Sequence, residues 1–140
     1  GEKILEVGTG SGYVTALLAH TGATITTVEI YPELLESAAA ALGVLGVDNV
    51  SLEAGDASTG WPKGDAWDGI LLTASVPQLP AAFAESVAPE GRIIAVIGKA
   101  PAMEAVRIER DGAGSLLTTS LFDAQLPPMV NAPDPHVFQL

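Results

Sequence analysis

Hydrophobic and polar positions along this chain follow two periods, and the switches between them mark alternating strands and helices. Residues 3–7, 24–29, 50–53, 67–73 and 92–97 are short runs rich in β-branched and aliphatic side chains, and they read as strands. Between most of them the period becomes helical. A helical pattern begins near Val14. Residues 31–45 carry Pro32 near a helix start, Glu33 in the first turn, and Leu34, Leu35, Ala38, Ala41, Leu42 and Leu45 on one apolar face, with Gly46 as a stop. Residues 80–87 predict a shorter helix that ends before Pro89 and Gly91. Such alternation predicts an α/β fold with a parallel sheet and right-handed crossovers.

The last part of the chain breaks the alternation. Two strand-like runs, 105–109 and 116–122, flank the polar turn Arg110-Asp111-Gly112-Ala113-Gly114 and predict an antiparallel hairpin. From Asp123 onward Pro127, Pro128, Pro133 and Pro135 interrupt a segment without periodicity. Residues 1–122 are therefore expected to form one core and 123–140 an irregular tail.

Composition narrows the class. A chain of 140 residues, 48% hydrophobic and without an uninterrupted apolar run of ~18 residues, fits one small globular domain and not a membrane span. It contains no cysteine, which excludes thiolate catalysis and cysteine zinc sites and agrees with a reducing, cytoplasmic setting. Asn49-Val50-Ser51 matches a glycosylation pattern, which chance explains in a predicted strand. Seventeen acidic against six basic residues give a formal net charge of −11, which repels a phosphate backbone and disfavours nucleic acid as a partner.

The candidate chemistry begins at Glu6-Val7-Gly8-Thr9-Gly10-Ser11-Gly12-Tyr13, between the first strand and the first helix. Glycines there allow backbone angles closed to other residues and let a ligand lie against the main chain, although they also make ordinary turns. The spacing is wrong for a dinucleotide fingerprint, because the third glycine follows the second by two residues instead of three. Glu29 ends the second strand roughly 20 positions further on, where an acidic residue accepts hydrogen bonds from both hydroxyls of a ribose and disfavours a 2′-phosphate. Asp56 follows the third strand at the same sheet edge; in its simplest role it caps its own turn.

These segments together resemble the class I S-adenosylmethionine-dependent methyltransferases, and within them the protein-L-isoaspartate O-methyltransferase family. The resemblance is carried in order by the glycine segment, Val28-Glu29 with Tyr31-Pro32-Glu33-Leu34, Asp48-Asn49-Val50, Gly55-Asp56, Gly60-Trp61-Pro62, Trp67-Asp68-Gly69-Ile70, Thr73-Ala74 and Pro89-Glu90-Gly91-Arg92. It implies a Rossmann-like, mostly parallel sheet with helices on both faces and a C-terminal antiparallel pair completing seven strands. It also implies S-adenosyl-L-methionine as cofactor and a protein or peptide substrate with an isoaspartyl residue.

Carried over residue by residue, the resemblance places Glu6, Gly8, Thr9, Gly10, Ser11 and Gly12 around the methionine part of the cofactor. Glu29 and Ile30 would lie at the ribose, and Asp56 and Ala57 at the adenine. Glu6 either orients the cofactor or braces the loop, and Trp61 either packs under the second turn or encloses the adenine. Thr73 and Ser75, beyond the fourth strand, could hold the acceptor carboxylate or satisfy strand-end backbone groups. No general base is required, because an ionised carboxylate is already nucleophilic. His20 and His136 have no serine placed beside them, and no metal-ligand spacing appears. The family carries a helical segment and a serine-containing substrate loop before its first strand, whereas here the first strand begins by Lys3. A catalytically silent S-adenosylmethionine-binding or interaction domain is the alternative expectation.

Overall fold

The computed structural model describes residues 1–61 and 66–135, so Pro62 and His136 lie outside the described residues. The strands are β1 (Lys3–Val7), β2 (Thr24–Glu29), β3 (Val50–Ala54), β4 (Trp67–Leu72), β5 (Val87–Lys99), β6 (Ala102–Arg110) and β7 (Leu116–Asp123). The helices are α1 (Tyr13–His20), α2 (Pro32–Val44) and α3 (Ala81–Ser86). One sheet has the order β3-β2-β1-β4-β5-β6-β7. Its first five members are parallel and β6 is antiparallel to both neighbours, as the α/β reading with a terminal hairpin expects.

Successive side chains of β1 serve two cores, as strand geometry requires. Ile4 joins Ala19 of α1, Ala23 and Ile25 on one face. Leu5 and Val7 join Val28, Ile70, Leu72, Phe83 of α3 and Ile93 on the other. These central strands are covered on both faces, and the polar residues they carry, among them Glu6 and Thr27, are buried with them. Phe83 is fully buried, a placement that contributes about 1.5–3 kcal/mol to folding. Asn49 ties the layers together by donating its side-chain amide to the carbonyls of Ala19 at 2.8 Å and Ala23 at 2.7 Å.

Three details differ from the sequence expectation. The apolar face of α2 is narrower than its pattern suggests: Ala38 and Leu42 are buried, while Leu34 and Leu45 remain exposed. This helix packs on β2 and β3, and a narrow stripe suffices. Second, β5 begins at Val87 and runs through Pro89 and Gly91, with a register shift against β4 between Trp67 and Gly69. Glu90 adopts φ 65° there, and a Cβ on Gly91 would lie 2.7 Å from Val87 and 2.8 Å from the Ala88 carbonyl. The Pro-Glu-Gly segment is a bulge in the strand and not a break before it.

Third, the proline-rich segment has irregular backbone, yet it docks on the core. The Ser75 N–H donates to the Pro127 carbonyl at 2.9 Å, and the Met129 N–H donates to the Ser75 carbonyl at 2.8 Å. Met129 and Ala132 pack against the larger apolar cluster.

Candidate functional site

The parallel strands all end at one edge of the sheet, and the residues singled out from the sequence collect there. A cleft of about 390 Å³ lies at that edge, within the size range of small-molecule sites. Gly8, Gly10, Glu29, Ile30, Asp56, Ala57 and Thr73 line it. So do Tyr31, Leu34 and Ala74, together with Pro127, Pro128, Met129 and Val130 from the tail.

The glycines of the first turn are required for three separate reasons. A Cβ on Gly8, which has φ +103°, would stand 2.1 Å from the Thr73 hydroxyl oxygen. A Cβ on Gly12 would press on Ala38 of α2 at 3.2 Å. Gly10 has φ +53° and open space around its missing Cβ, so there the backbone itself borders the cleft. At Gly8 and Gly10 the turn presents bare main chain whose N–H groups are already used: that of Gly8 is given to the Val28 carbonyl at 2.8 Å and that of Gly10 to Glu29.

Glu29 is buried at the end of β2, and both of its oxygens are engaged. Oε1 accepts the Gly10 N–H at 2.8 Å and Oε2 accepts the Tyr31 N–H at 3.1 Å. Each carboxylate oxygen has a second acceptor position, so the group can still bind two hydroxyls of a ligand. Asp56 is exposed on the far side of the cleft. Its Oδ1 accepts the Ser58 N–H and its Oδ2 accepts the Asn131 amide, each at 2.9 Å. The Ser58 side chain, then the Ser58 backbone N–H, hold the Asp56 carboxyl below its ordinary value, with Asn131 adding to the effect. Free acceptor positions on Glu29, the ionised carboxylate of Asp56 and the apolar side chains of Ile30, Leu34 and Val130 all border this cleft, a mix of apolar wall and few polar groups that suits a small molecule.

Four residues expected at the cofactor lie off the cleft. Glu6 is fully buried beneath the turn, where Oε1 receives the hydroxyls of Thr15 and, at 2.7 Å, Thr27. The Thr27 proton is thereby used, so Thr9 is the donor in its 2.7 Å contact with Thr27. Glu6 Oε2 is buried without a partner. Burial raises the Glu6 pKa, the hydroxyl bonds oppose that rise, and the charge of Glu29 adds to it. Thr9 is buried in the same network, Ser11 is exposed with Oγ accepting the Tyr13 N–H, and Gly12 serves helix packing. The arrangement braces the loop from below.

The two hydroxyls suggested for the acceptor are already committed. Thr73 donates toward the carbonyls of Val7 and Gly8, at 2.8 and 2.7 Å, and Ser75 donates to the Leu126 carbonyl at 3.0 Å. As placed, neither has a proton to offer a carboxylate. Trp61 packs beneath the second turn, where a Cβ on Gly55 would meet its ring at 2.7 Å, and its Nε1 donates to Glu53. Sequence reasoning missed the tail residues of the cleft, because prolines signal irregular chain but not where that chain packs. Among the described residues there is no cluster of metal-binding side chains, and no helix is long and apolar enough to cross a membrane.

Comparison with known proteins agrees with this geometry. A protein-L-isoaspartate O-methyltransferase 1 from Anaeromyxobacter sp. (strain Fw109-5) is 41% identical over 133 residues, which cover 94% of this chain and 63% of that protein. Its namesake from Rhodopseudomonas palustris (strain HaA2) is 36% identical, covering 97% of this chain and 59% of the relative. The chain thus spans about three fifths of the length of these relatives. A solved protein-L-isoaspartate O-methyltransferase superposes with a TM-score of 0.81 at 23% identity, over 91% of this chain and 42% of that one. A Plasmodium falciparum structure described as such a methyltransferase in complex with S-adenosyl-L-homocysteine gives 0.73 at 19% identity, over 91% and 65%. These two likenesses speak for the fold. The profile of the protein-L-isoaspartate(D-aspartate) O-methyltransferase family matches residues 1–132, which is nearly the whole chain, and with the glycine turn, Glu29 and Asp56 at one sheet edge the chain belongs to that family.

Proposed function

We propose that this chain binds S-adenosylmethionine and forms the methyl-transferring core of a protein-L-isoaspartate O-methyltransferase, with a carboxylate of an isoaspartyl-containing protein as acceptor. The observation that carries the reading is Glu29, whose two oxygens are fixed by the Gly10 and Tyr31 N–H groups while the residue lines the cleft. The names of the relatives support the substrate.

In this reading the ribose hydroxyls bond Glu29, the adenine amino group bonds Asp56, and the methionine part lies over Gly8 and Gly10. Ile30, Leu34, Met129 and Val130 exclude water from the bound nucleoside. When bound, the cofactor supplies a sulfonium-activated methyl group that an ionised carboxylate attacks without a base. The protein's own task is positioning, worth up to about 7–11 kcal/mol in well-oriented reactions. Thr73 contributes by holding the Gly8 carbonyl, and Glu6 with Thr15 and Thr27 by keeping the turn rigid from beneath. A protein acceptor and a cytoplasmic setting accompany the reading; the net charge of −11 disfavours nucleic acid, and the absence of cysteine agrees with a reducing setting.

Calorimetric titration with S-adenosylhomocysteine, followed by radiolabelled methyl transfer to an isoaspartyl peptide, tests it. One-to-one binding with turnover is expected. Failure of the folded chain to bind would overturn the cofactor assignment, and binding without turnover would leave a silent cofactor domain.

A further inference from the structure

Asp56 Oδ2 accepts the side-chain amide of Asn131 at 2.9 Å, a contact that joins the loop after β3 to a tail residue 75 positions later. Asp56 lines the cleft and Asn131 stands behind it. A carboxylate offers acceptors only, so the amide nitrogen of Asn131 is the donor.

The backbone explains why asparagine can occupy this place. The Ala132 N–H donates to the Met129 carbonyl at 3.2 Å and closes a four-residue turn in which Asn131, third in order, has φ 65°. A turn whose third residue alone has positive φ takes glycine or asparagine there. Glycine meets that demand at no steric cost, so what asparagine adds is its side chain. The other end of the same short segment is fixed at Ser75, through the Met129 N–H. The tail is thus anchored at two strand ends, and the residues between, Met129 and Val130 among them, line the cleft.

The contact completes the hold on Asp56. Oδ1 receives the Ser58 N–H at 2.9 Å. With one oxygen held, a carboxylate turns readily about its last torsion, whose energy profile is broad. Bonds to both oxygens fix its plane, and Oδ2 keeps a further acceptor position. A fixed acceptor receives an N–H donor well, and it is left facing a second acceptor when the ligand presents oxygen instead. A polar site discriminates most strongly when its groups go unpaired in that way.

We propose that Asn131 is a positioning residue that sets base selectivity: by fixing the plane of the Asp56 carboxylate it makes the cleft prefer a 6-amino purine over a 6-oxo purine. The inference rests on the methyltransferase reading above, in which Asp56 bonds the adenine amino group, and adds to it a specificity determinant supplied by the tail.

The test compares, by calorimetry on the full chain, S-adenosylhomocysteine with S-inosylhomocysteine, in which a 6-oxo group replaces the 6-amino group. The unmodified chain is expected to prefer the adenine ligand. Asn131→Gly keeps the turn and removes the amide. It should weaken the adenine ligand roughly fivefold, the worth of one hydrogen bond, and leave the 6-oxo ligand unchanged, so the preference shrinks by the same factor. In an Asp56→Ala background the same substitution should leave the preference where Asp56→Ala has put it, because its effect passes through Asp56. Equal weakening of both ligands would make Asn131 a tail anchor only and overturn the inference. So would a preference untouched by Asn131→Gly, a further fall in the Asp56→Ala background, or no preference in the unmodified chain. Failure of the unmodified chain to bind S-adenosylhomocysteine would instead overturn the functional reading, so the two failures are told apart.

Discussion

Glu29 Oε1 and the Gly10 N–H, 19 positions apart in sequence, meet at 2.8 Å across the cleft floor. The bond fastens the glycine turn after β1 to the end of β2, so the proposed ribose acceptor and the surface under the methionine part are held by one contact. A ligand entering this cleft does not have to order Glu29, whose rotamer is already fixed by Gly10 and Tyr31.

Glu29→Ala is accordingly expected to weaken S-adenosylhomocysteine binding by about 1.5–3 kcal/mol, roughly ten- to a hundredfold. Glu29→Gln should also bind poorly, because its amide group would face a backbone N–H with another donor. Calorimetry on the folded variants checks both, and unchanged affinity would remove Glu29 from the site.

The glycines separate stability from binding. At Gly8 a methyl group would collide with the Thr73 hydroxyl, so Gly8→Ala should destabilise the fold by about 1–3 kcal/mol. Gly10 has open space around its missing Cβ, and its positive φ costs an alanine only about 1–2 kcal/mol. Gly10→Ala should therefore keep the fold while placing a methyl group in the cleft. Melting curves and ligand titrations on the two variants should move in different proportion, with the binding loss at Gly10 exceeding its stability loss.

Much of this was legible in the sequence because the determinants are local. The period switches around Lys3 to Glu29 give a strand, a turn, a helix and a strand, and the glycine spacing with Glu29 locates the cleft. What the sequence does not carry is which residues face the ligand and which stand behind it. Glu6 and Thr9 belong to the same motif as Gly8 and Gly10, yet strand alternation and the Thr15 and Thr27 hydroxyls turn them inward. Pro127 to Val130 show the complementary limit, because their placement depends on Ser75, some fifty positions earlier, and a non-periodic segment has no pattern that names its partner.

Glu6 makes stability depend on pH. Burial raises its pKa above the ordinary 4.5, so between that value and its folded value the native state holds more protons than the unfolded one. Stability then falls as pH rises through this window, with the stabilising protonated form fully present below it. Glu6→Gln keeps an acceptor for Thr15 and Thr27 without the charge. Chemical denaturation from pH 4 to 8 should show a smaller decline for this variant, while an identical slope would assign the decline to other groups.

Ser75 connects the core to the tail through three hydrogen bonds: its N–H to the Pro127 carbonyl, its carbonyl from the Met129 N–H, and its hydroxyl to the Leu126 carbonyl at 3.0 Å. Only the last depends on the side chain. Ser75→Ala should therefore cost about 1 kcal/mol, the net worth of one hydrogen bond, and the loss should appear locally. The Met129 amide is the reporter, since its N–H is protected by the Ser75 carbonyl and its side chain lines the cofactor cleft. Its hydrogen exchange is expected to quicken severalfold in Ser75→Ala while the amides of β1 and β4 keep their rates. Slower exchange at Met129 on adding S-adenosylhomocysteine would then link the docked tail to the occupied cleft, whereas exchange insensitive to the ligand would separate them.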